Sequence, residues 1–430
     1  MNPDSNVVVR PARGLAGRLL LPGDKSISHR YAMLAAVAHD QTHLENYCPG
    51  MDCASTLHCL RALGVEWKRQ DDVVDIHGRG KLLEAPRAPL DCGNSGSTIR
   101  MLSGIVAAQD FSSELVGDES LSRRPMARVI TPLARMGARI SASSGERPPL
   151  RITGGHLKGI AYDMPVATAQ VKSAVLFAGL LAEGETVVRE PLRTRDHGEL
   201  ALRAFGAEVS RRGNEVRIAG GQKLHGIEAQ VPGDISSAAF FLCAAGLFQD
   251  SRLTIPNLLM NPTRSRLLDI LSAMGLRISV VELEEKHGEL VGTAQVEGGK
   301  LTGATITGAD SAALIDELPV FAAIAPYTEQ GIEIRDAREL RVKESDRIAA
   351  VAGNLRAMGA QVEEREDGLR VPGSQKLHGA EIDSLGDHRI AMAFAIAALR
   401  AEGETLIRGA ESATISFPRF FDTLESLAQR

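Results

Sequence analysis

Arg61-Ala-Leu-Gly64-Val, Arg135-Met-Gly137-Ala, Ala204-Phe-Gly206-Ala, Ala273-Met-Gly275-Leu and Ala357-Met-Gly359-Ala are versions of one phrase, and their glycines lie 73, 69, 69 and 84 residues apart. An amphipathic run precedes each glycine, and a short alternating segment follows it, as in Gly137-Ala-Arg-Ile and Gly206-Ala-Glu-Val. Glycine just past a helix enters the left-handed C′ conformation without a Cβ clash. Each phrase therefore reads as a helix stop followed by a strand. A sixth amphipathic run, residues 417–429, closes the chain without its strand.

A second helical pattern keeps the same rhythm and is apolar nearly all round, at residues 31–38, 101–108, 174–182, 238–248, 312–325 and 390–399. A helix without a polar face is buried. Lys-Leu-His-Gly occurs at 223–226 and again at 376–379. The chain reads as six units, each with a buried helix, an amphipathic helix and several short strands. Such units are longer than most solenoid repeats, and a TIM barrel needs eight shorter βα pairs.

Leu21-Pro22-Gly23-Asp24 and Val231-Pro232-Gly233-Asp234 are 210 residues apart, the length of three units. Pro-Gly pairs mark turns. The expected organisation is an N-terminal lobe of residues 23–233 and a C-terminal lobe of 234–430, completed by residues 1–22. The two Pro-Gly crossings suit lobes that move about a double hinge.

With 430 residues, 44% hydrophobic and 24% charged, the chain has the composition of a globular protein with ample core. A net charge of −5 excludes broad attraction to nucleic acid or anionic membrane, and 4% aromatics gives no base-stacking platform. The longest apolar stretch, 238–248, is about half of the ~20 residues that span a bilayer. No stretch near the first residues has signal-peptide length, so a cytoplasmic location is expected. The five cysteines are odd in number, and Cys48, Cys53, His58 and Cys59 lack paired CxxC spacing. They read as buried thiols, with no metal site.

Each buried helix is entered through a short polar stretch. These are Gly23-Asp-Lys-Ser-Ile-Ser-His-Arg30, Gly93-Asn-Ser-Gly-Ser-Thr-Ile-Arg100, Ala167-Thr-Ala-Gln-Val-Lys-Ser173, Gly233-Asp-Ile-Ser-Ser237, Ala309-Asp-Ser-Ala-Ala-Leu-Ile-Asp316 and Gly386-Asp-His-Arg389. Helix N-termini attract anions through free N–H groups and the dipole. If the helices run parallel within each lobe, these ends collect around one interdomain cleft. Lys25, Arg30, Arg100, Lys172 and Arg389 stand at the entrances, with Arg123-Arg124-Pro125 and Arg341-Val-Lys343-Glu344-Ser-Asp-Arg347 in further loops. In a net acidic chain this concentration implies small substrates carrying several anionic groups, read by arginine forks and mobile lysines.

Other motifs fail. Gly23-Asp-Lys-Ser resembles the end of a P-loop, but Asp24 intrudes and the upstream glycine is missing. GxGxxG in dinucleotide context, HExxH and GxSxG are absent. His388, between Asp387 and Arg389, reads as a structural residue.

Taken together, Leu21-Pro-Gly-Asp-Lys-Ser-Ile-Ser-His-Arg30, Gly93-Asn-Ser-Gly96, Arg124-Pro-Met126, Ala169-Gln-Val-Lys-Ser173, Arg341-Val-Lys-Glu-Ser-Asp-Arg347 and Asp387-His-Arg389 closely resemble the 5-enolpyruvylshikimate-3-phosphate (EPSP) synthase family of enolpyruvyl transferases. The resemblance runs through nearly the whole chain. It implies an α/β fold, a two-lobed inside-out α/β barrel of six βαβαββ units, three per domain, with the active site in the cleft. The implied reaction moves the enolpyruvyl group of phosphoenolpyruvate to the 5-hydroxyl of shikimate 3-phosphate and releases phosphate. It belongs to the shikimate pathway, uses no metal or organic cofactor, and is carried out by a monomer.

Carried over position by position, the resemblance puts Lys25, Ser26, Arg30, Thr168, Ala169, Gln170, Arg195, Asp316 and Lys343 on shikimate 3-phosphate, Arg30 facing its carboxylate. Lys25, Gly96, Arg124, Gln170, Arg347 and Arg389 fall to phosphoenolpyruvate, the two last-named arginines holding its carboxylate. Asp316 is the expected acceptor of the hydroxyl proton, with Lys25 and Glu344 the two candidates for protonating the methylene carbon. Glyphosate is expected to compete with phosphoenolpyruvate, Gly96 leaving room for it. Two departures stand out. Thr414-Ile-Ser-Phe417-Pro lacks the lysine some members carry there, and Thr168 replaces a frequent serine. The related UDP-N-acetylglucosamine enolpyruvyl transferases normally carry a cysteine in the loop that reads Gly117-Asp-Glu-Ser-Leu-Ser-Arg-Arg124 here, and none is present. A non-catalytic scaffold that binds anionic metabolites has no need of Lys25, Asp316 and Glu344.

Overall fold

The computed structural model of the chain describes residues 6–430. Its repeating element is clearest between residues 161 and 219. Strand Ala161–Asp163 leads into the buried helix Ala169–Leu181, strand Glu185–Arg189, the amphipathic helix His197–Ala204 and the hairpin Val209–Arg212 with Glu215–Ala219. The first two strands pair in parallel, Ala161 against Val187, as the helical crossover between them requires. The hairpin adds antiparallel strands, Val187 against Arg217 and Ile218 against Val209. This is a βαβαββ unit.

The chain divides into two compact units. Among the described residues, one contains 23–231 with 285–289, the other 6–22, 232–284 and 290–430. Residues 285–289, expected in the C-terminal lobe, thus fall with residues 23–231, where buried Glu289 Oε1 lies 2.6 Å from His197 Nδ1. Each unit holds three sheets of the same design. Strand Glu228–Gln230, just before the second Pro-Gly turn, pairs in parallel with Gln41–Glu45 of the first repeat. Strand Gly14–Arg18, just before the first turn, pairs in parallel with Arg252–Leu259 of the fourth. Each crossing thus leaves behind the strand that the other repeat lacks. The sixth repeat has no hairpin of its own, and Val7–Val9 pairs antiparallel with Thr405–Arg408 in its place. The closing amphipathic run forms the helix Phe420–Leu427 and ends in a two-residue strand, Ala428–Gln429, against Gly14–Arg18.

All five repeat glycines have positive φ, between 83° and 116°. The left-handed helix stop inferred from sequence is therefore present at every copy. The buried helices are Lys25–Ala36, Gly96–Val106 and Ala169–Leu181 in one unit, and Ile235–Gly246, Leu318–Ile324 and His388–Ala398 in the other. Within each unit they pack on one another and form the core. Gly104 marks the closest approach, since a Cβ there would lie 2.1 Å from the carbonyl oxygen of Ala174 on the neighbouring helix. Backbone cannot yield as a side chain can. Gly104→Ala should therefore lower unfolding stability by about 1–3 kcal/mol, the usual cost of overpacking, in urea denaturation. An unchanged midpoint would show that the helices separate freely.

The apolar run 312–325 is not one helix. It breaks into Gly308–Ala313 and Leu318–Ile324, with a turn between them. Pro319 explains the break, because its ring would meet the carbonyl of Ile315 and it offers no N–H to bond there. Asp316 sits in that turn. No helix among the described residues is long and apolar enough to cross a membrane. All five cysteines are free and buried.

Candidate active site

In the unit of residues 23–231, the three buried helices gather their N-terminal ends. Asp24 caps the first, its carboxylate accepting from the Ile27 N–H at 2.9 Å, and Ser95 caps the second through the Thr98 N–H. Lys25 opens the first helix, and its Nζ stands 2.9 Å from Asp52 Oδ2. Arg30, one turn later, is 3% exposed. It donates to the Ser26 carbonyl at 2.8 Å, to Ser173 Oγ at 3.1 and 3.0 Å, and to the Ala169 carbonyl at 3.4 Å. Those bonds tie the first turn of one helix to the first turn of another.

Gln170 joins the third helix to the second. Its Oε1 accepts from Arg100 at 2.9 Å and its Nε2 donates to Ser97 Oγ at 2.9 Å. Arg124 donates to Asn94 Oδ1 at 2.8 Å and to Ser120 Oγ at 3.2 Å. Gly96 lies between two guanidinium groups, since a Cβ there would be 2.7 Å from an Arg100 terminal nitrogen and 3.3 Å from one of Arg124. Thr168 precedes the third helix and makes no side-chain cap. Burial pulls the Arg30 guanidinium down to about 10, Glu199 and Asp24 oppose that pull, and Arg195 adds to it. Arg195 is therefore close enough for its charge to be felt at Arg30.

In the other unit the site residues converge on Asp316. Lys343 Nζ lies 3.5 Å from Asp316 Oδ1, and an Arg347 terminal nitrogen lies 3.7 Å from the same oxygen. Arg389 donates to the Asp316 backbone carbonyl at 2.5 Å. Arg347 is 1% exposed and meets Asp387 at 2.8 and 3.2 Å and Glu344 at 2.6 Å. Burial works to lower its pKa, but the charges of Asp387, Glu344 and Asp316 outweigh burial and hold it above the ordinary value. For Asp387, burial pushes upward most strongly and Glu344 adds to it, but the charge and hydrogen bonds of Arg347 together with His388 hold its carboxyl below the usual carboxylate range. A second buried group stands alongside. Glu317 accepts from Ser236, which also accepts from Arg264, and an Arg389 terminal nitrogen lies 3.8 Å from Glu317.

One unit thus brings together Lys25, Ser26, Arg30, Gly96, Arg124, Thr168, Ala169, Gln170 and Arg195. The other brings together Asp316, Lys343, Glu344, Arg347 and Arg389. Three cations of the sequence reading leave the set. Lys172 is fully buried between Glu190 at 3.1 Å and Glu199 at 2.9 Å. Arg341 is spent on Asp346 at 2.8 Å and on the Arg365 and Glu366 carbonyls. Arg123 pairs with Glu119 on the surface. The partners that hold the site, Asp52, Ser173 and Glu317 among them, were not singled out from sequence. Buried acids at helix entrances were the available signal, and burial is not visible in one sequence.

Buried helices that, within each unit, gather arginine and lysine at neighbouring N-terminal ends define a protein suited to small polyanionic substrates. A family model for EPSP synthase (3-phosphoshikimate 1-carboxyvinyltransferase) matches residues 9–424. The 3-phosphoshikimate 1-carboxyvinyltransferase of Koribacter versatilis (strain Ellin345) is 59% identical over 99% of this chain and 100% of its own length. That of Solibacter usitatus (strain Ellin6076) is 54% identical over 98% and 99%. The 2.37 Å structure of EPSP synthase from Acinetobacter baumannii superposes with a TM-score of 0.88 at 42% identity, covering 98% of each chain. The chain belongs to the EPSP synthase family.

Proposed function

We infer that the chain transfers the enolpyruvyl group of phosphoenolpyruvate to the 5-hydroxyl of shikimate 3-phosphate by addition and elimination, giving 5-enolpyruvylshikimate 3-phosphate and phosphate. The observation that carries this reading is the Asp316 carboxylate, close to Lys343 and Arg347 and backed by Arg389 on its own carbonyl. A carboxylate positioned beside a hydroxyl can take its proton as a general base. Arg347 and Arg389 supply a double fork for the phosphoenolpyruvate carboxylate. Arg30, Lys343, Arg195, Ser26 and the Thr168–Gln170 stretch are proposed for shikimate 3-phosphate. Gly96, Arg124, Gln170 and Lys25 are proposed for phosphoenolpyruvate. Lys25 and Glu344 are the candidates for protonating the methylene carbon, and the neighbouring cations stabilise phosphate as it leaves. The reading requires the two sets of residues to act on the same substrate pair, in a cytoplasmic monomer.

Addition places a solvent-derived proton on the methylene carbon, and elimination removes one proton from the resulting methyl group. Turnover in D2O should therefore put deuterium into the product methylene, read by proton NMR. Phosphate release without deuterium in the enolpyruvyl group would exclude this route.

The same reading makes glyphosate a competitor of phosphoenolpyruvate. A methyl at position 96 would press on Arg100 and Arg124, and the flexible end of Arg100 can shift, so the fold should survive. Gly96→Ala should weaken glyphosate inhibition by about one to two decades at fixed shikimate 3-phosphate, with a smaller effect on the phosphoenolpyruvate KM. Equal inhibition of both forms would remove steric control from Gly96.

A further inference from the structure

We propose that Glu190 is a positioning residue for the shikimate 3-phosphate side of the site, fixing through Thr194 the loop that presents Arg195. The inference rests on the function proposed above. Glu190 follows strand Glu185–Arg189, and the loop after it runs to the helix His197–Ala204. One Glu190 oxygen turns back onto this loop and accepts from both the N–H of Thr194, at 3.0 Å, and its hydroxyl. The other oxygen accepts from Lys172 Nζ at 3.1 Å and from an Arg211 terminal nitrogen at 3.0 Å. Lys172 and Arg211 also meet Glu199, at 2.9 and 2.8 Å.

These four side chains form a charge-neutral cluster that is almost wholly buried. Such a cluster is a poor source of stability, because apolar side chains of similar volume usually serve as well or better. What it supplies is a fixed geometry for the residue beside Arg195. That geometry has a task, because Arg195 and Arg30 repel each other before any anion bridges them. Glu199 and its helix lie on the Arg30 side, where a Cβ on Gly198 would be 2.6 Å from Ser173 Oγ, the group that accepts from Arg30. The cluster thus braces both arginines from behind without occupying the substrate surface.

The test is steady-state kinetics of wild type, Thr194→Val and Thr194→Ser, with thermal melts of each. Valine removes the hydroxyl bond to Glu190 and leaves the four charges intact, while serine restores it. The expected result is a rise of about tenfold in the shikimate 3-phosphate KM for Thr194→Val, larger than any fall in kcat, with the phosphoenolpyruvate KM and the melting temperature unchanged. Thr194→Ser should return the KM to within about twofold of wild type. A Thr194→Val enzyme with an unaltered shikimate 3-phosphate KM, or with both KM values rising together, overturns the proposal. A wild type that turns over neither substrate overturns the proposed function, and this inference with it.

Discussion

Asp316→Asn should lower kcat by about 10²–10⁴-fold, the range expected when a general base is lost, while binding of shikimate 3-phosphate should change by only a few-fold. Asparagine keeps the shape and an acceptor oxygen for Lys343. The turn should persist, because Arg389 bonds to the backbone carbonyl of residue 316 and not to its side chain. Arg347 keeps Asp387 and Glu344. What disappears is the charge proposed to take up the hydroxyl proton. Initial-rate kinetics and calorimetric titration with shikimate 3-phosphate separate the two effects. Near-normal turnover would remove Asp316 from the base role.

Asp387→Ala should destabilise its unit by about 3–5 kcal/mol in urea denaturation, the cost of leaving a buried charge without its main partner. Asp387 is fully buried, accepts two bonds from Arg347 and one from Ser345, and caps its helix through the Arg389 N–H at 2.9 Å. Asp387→Asn keeps the shape and an acceptor for the cap, so comparing it with wild type isolates the charge, and comparing it with Asp387→Ala isolates the cap. The pH dependence has a definite sign. The folded carboxyl lies below its unfolded value, so its contribution is complete above about pH 4 and declines as pH falls through the folded value. The gap between wild type and Asp387→Asn should therefore hold from neutrality down to about pH 4 and close only below it. A loss under about 1 kcal/mol at pH 7 would class the pair with exposed ion pairs, and the site would lose its rigid backing.

The six repeats were legible because their signals are local. A left-handed glycine and an all-apolar helix each declare themselves within about a dozen residues, and both recur in register. The entrances were legible for the same reason, since a cap and its neighbouring cations are adjacent in sequence. The break at residues 314–317 was hidden because the apolar pattern runs straight across it. Pro319 was the available warning. That residues 1–22 complete the C-terminal lobe was legible from the Pro-Gly spacing, but the strand partners of Gly14–Arg18 and Glu228–Gln230 were not, because partners more than 180 residues apart leave no trace in spacing. Lys172 shows the limit for the site. At a helix entrance it reads like a ligand-binding lysine, and only the fold reveals Glu190 and Glu199 closing over it. Charge is written in the sequence, but whether a charge faces ligand or partner is decided by tertiary packing.

The account rests on these residues acting together on one acceptor, and the most direct measurement is the initial rate of phosphate release from phosphoenolpyruvate with two acceptors offered separately. With shikimate 3-phosphate the rate should be robust and should saturate in both substrates. With UDP-N-acetylglucosamine it should stay at background. Phosphate release with the nucleotide sugar, or none with shikimate 3-phosphate, would contradict the account.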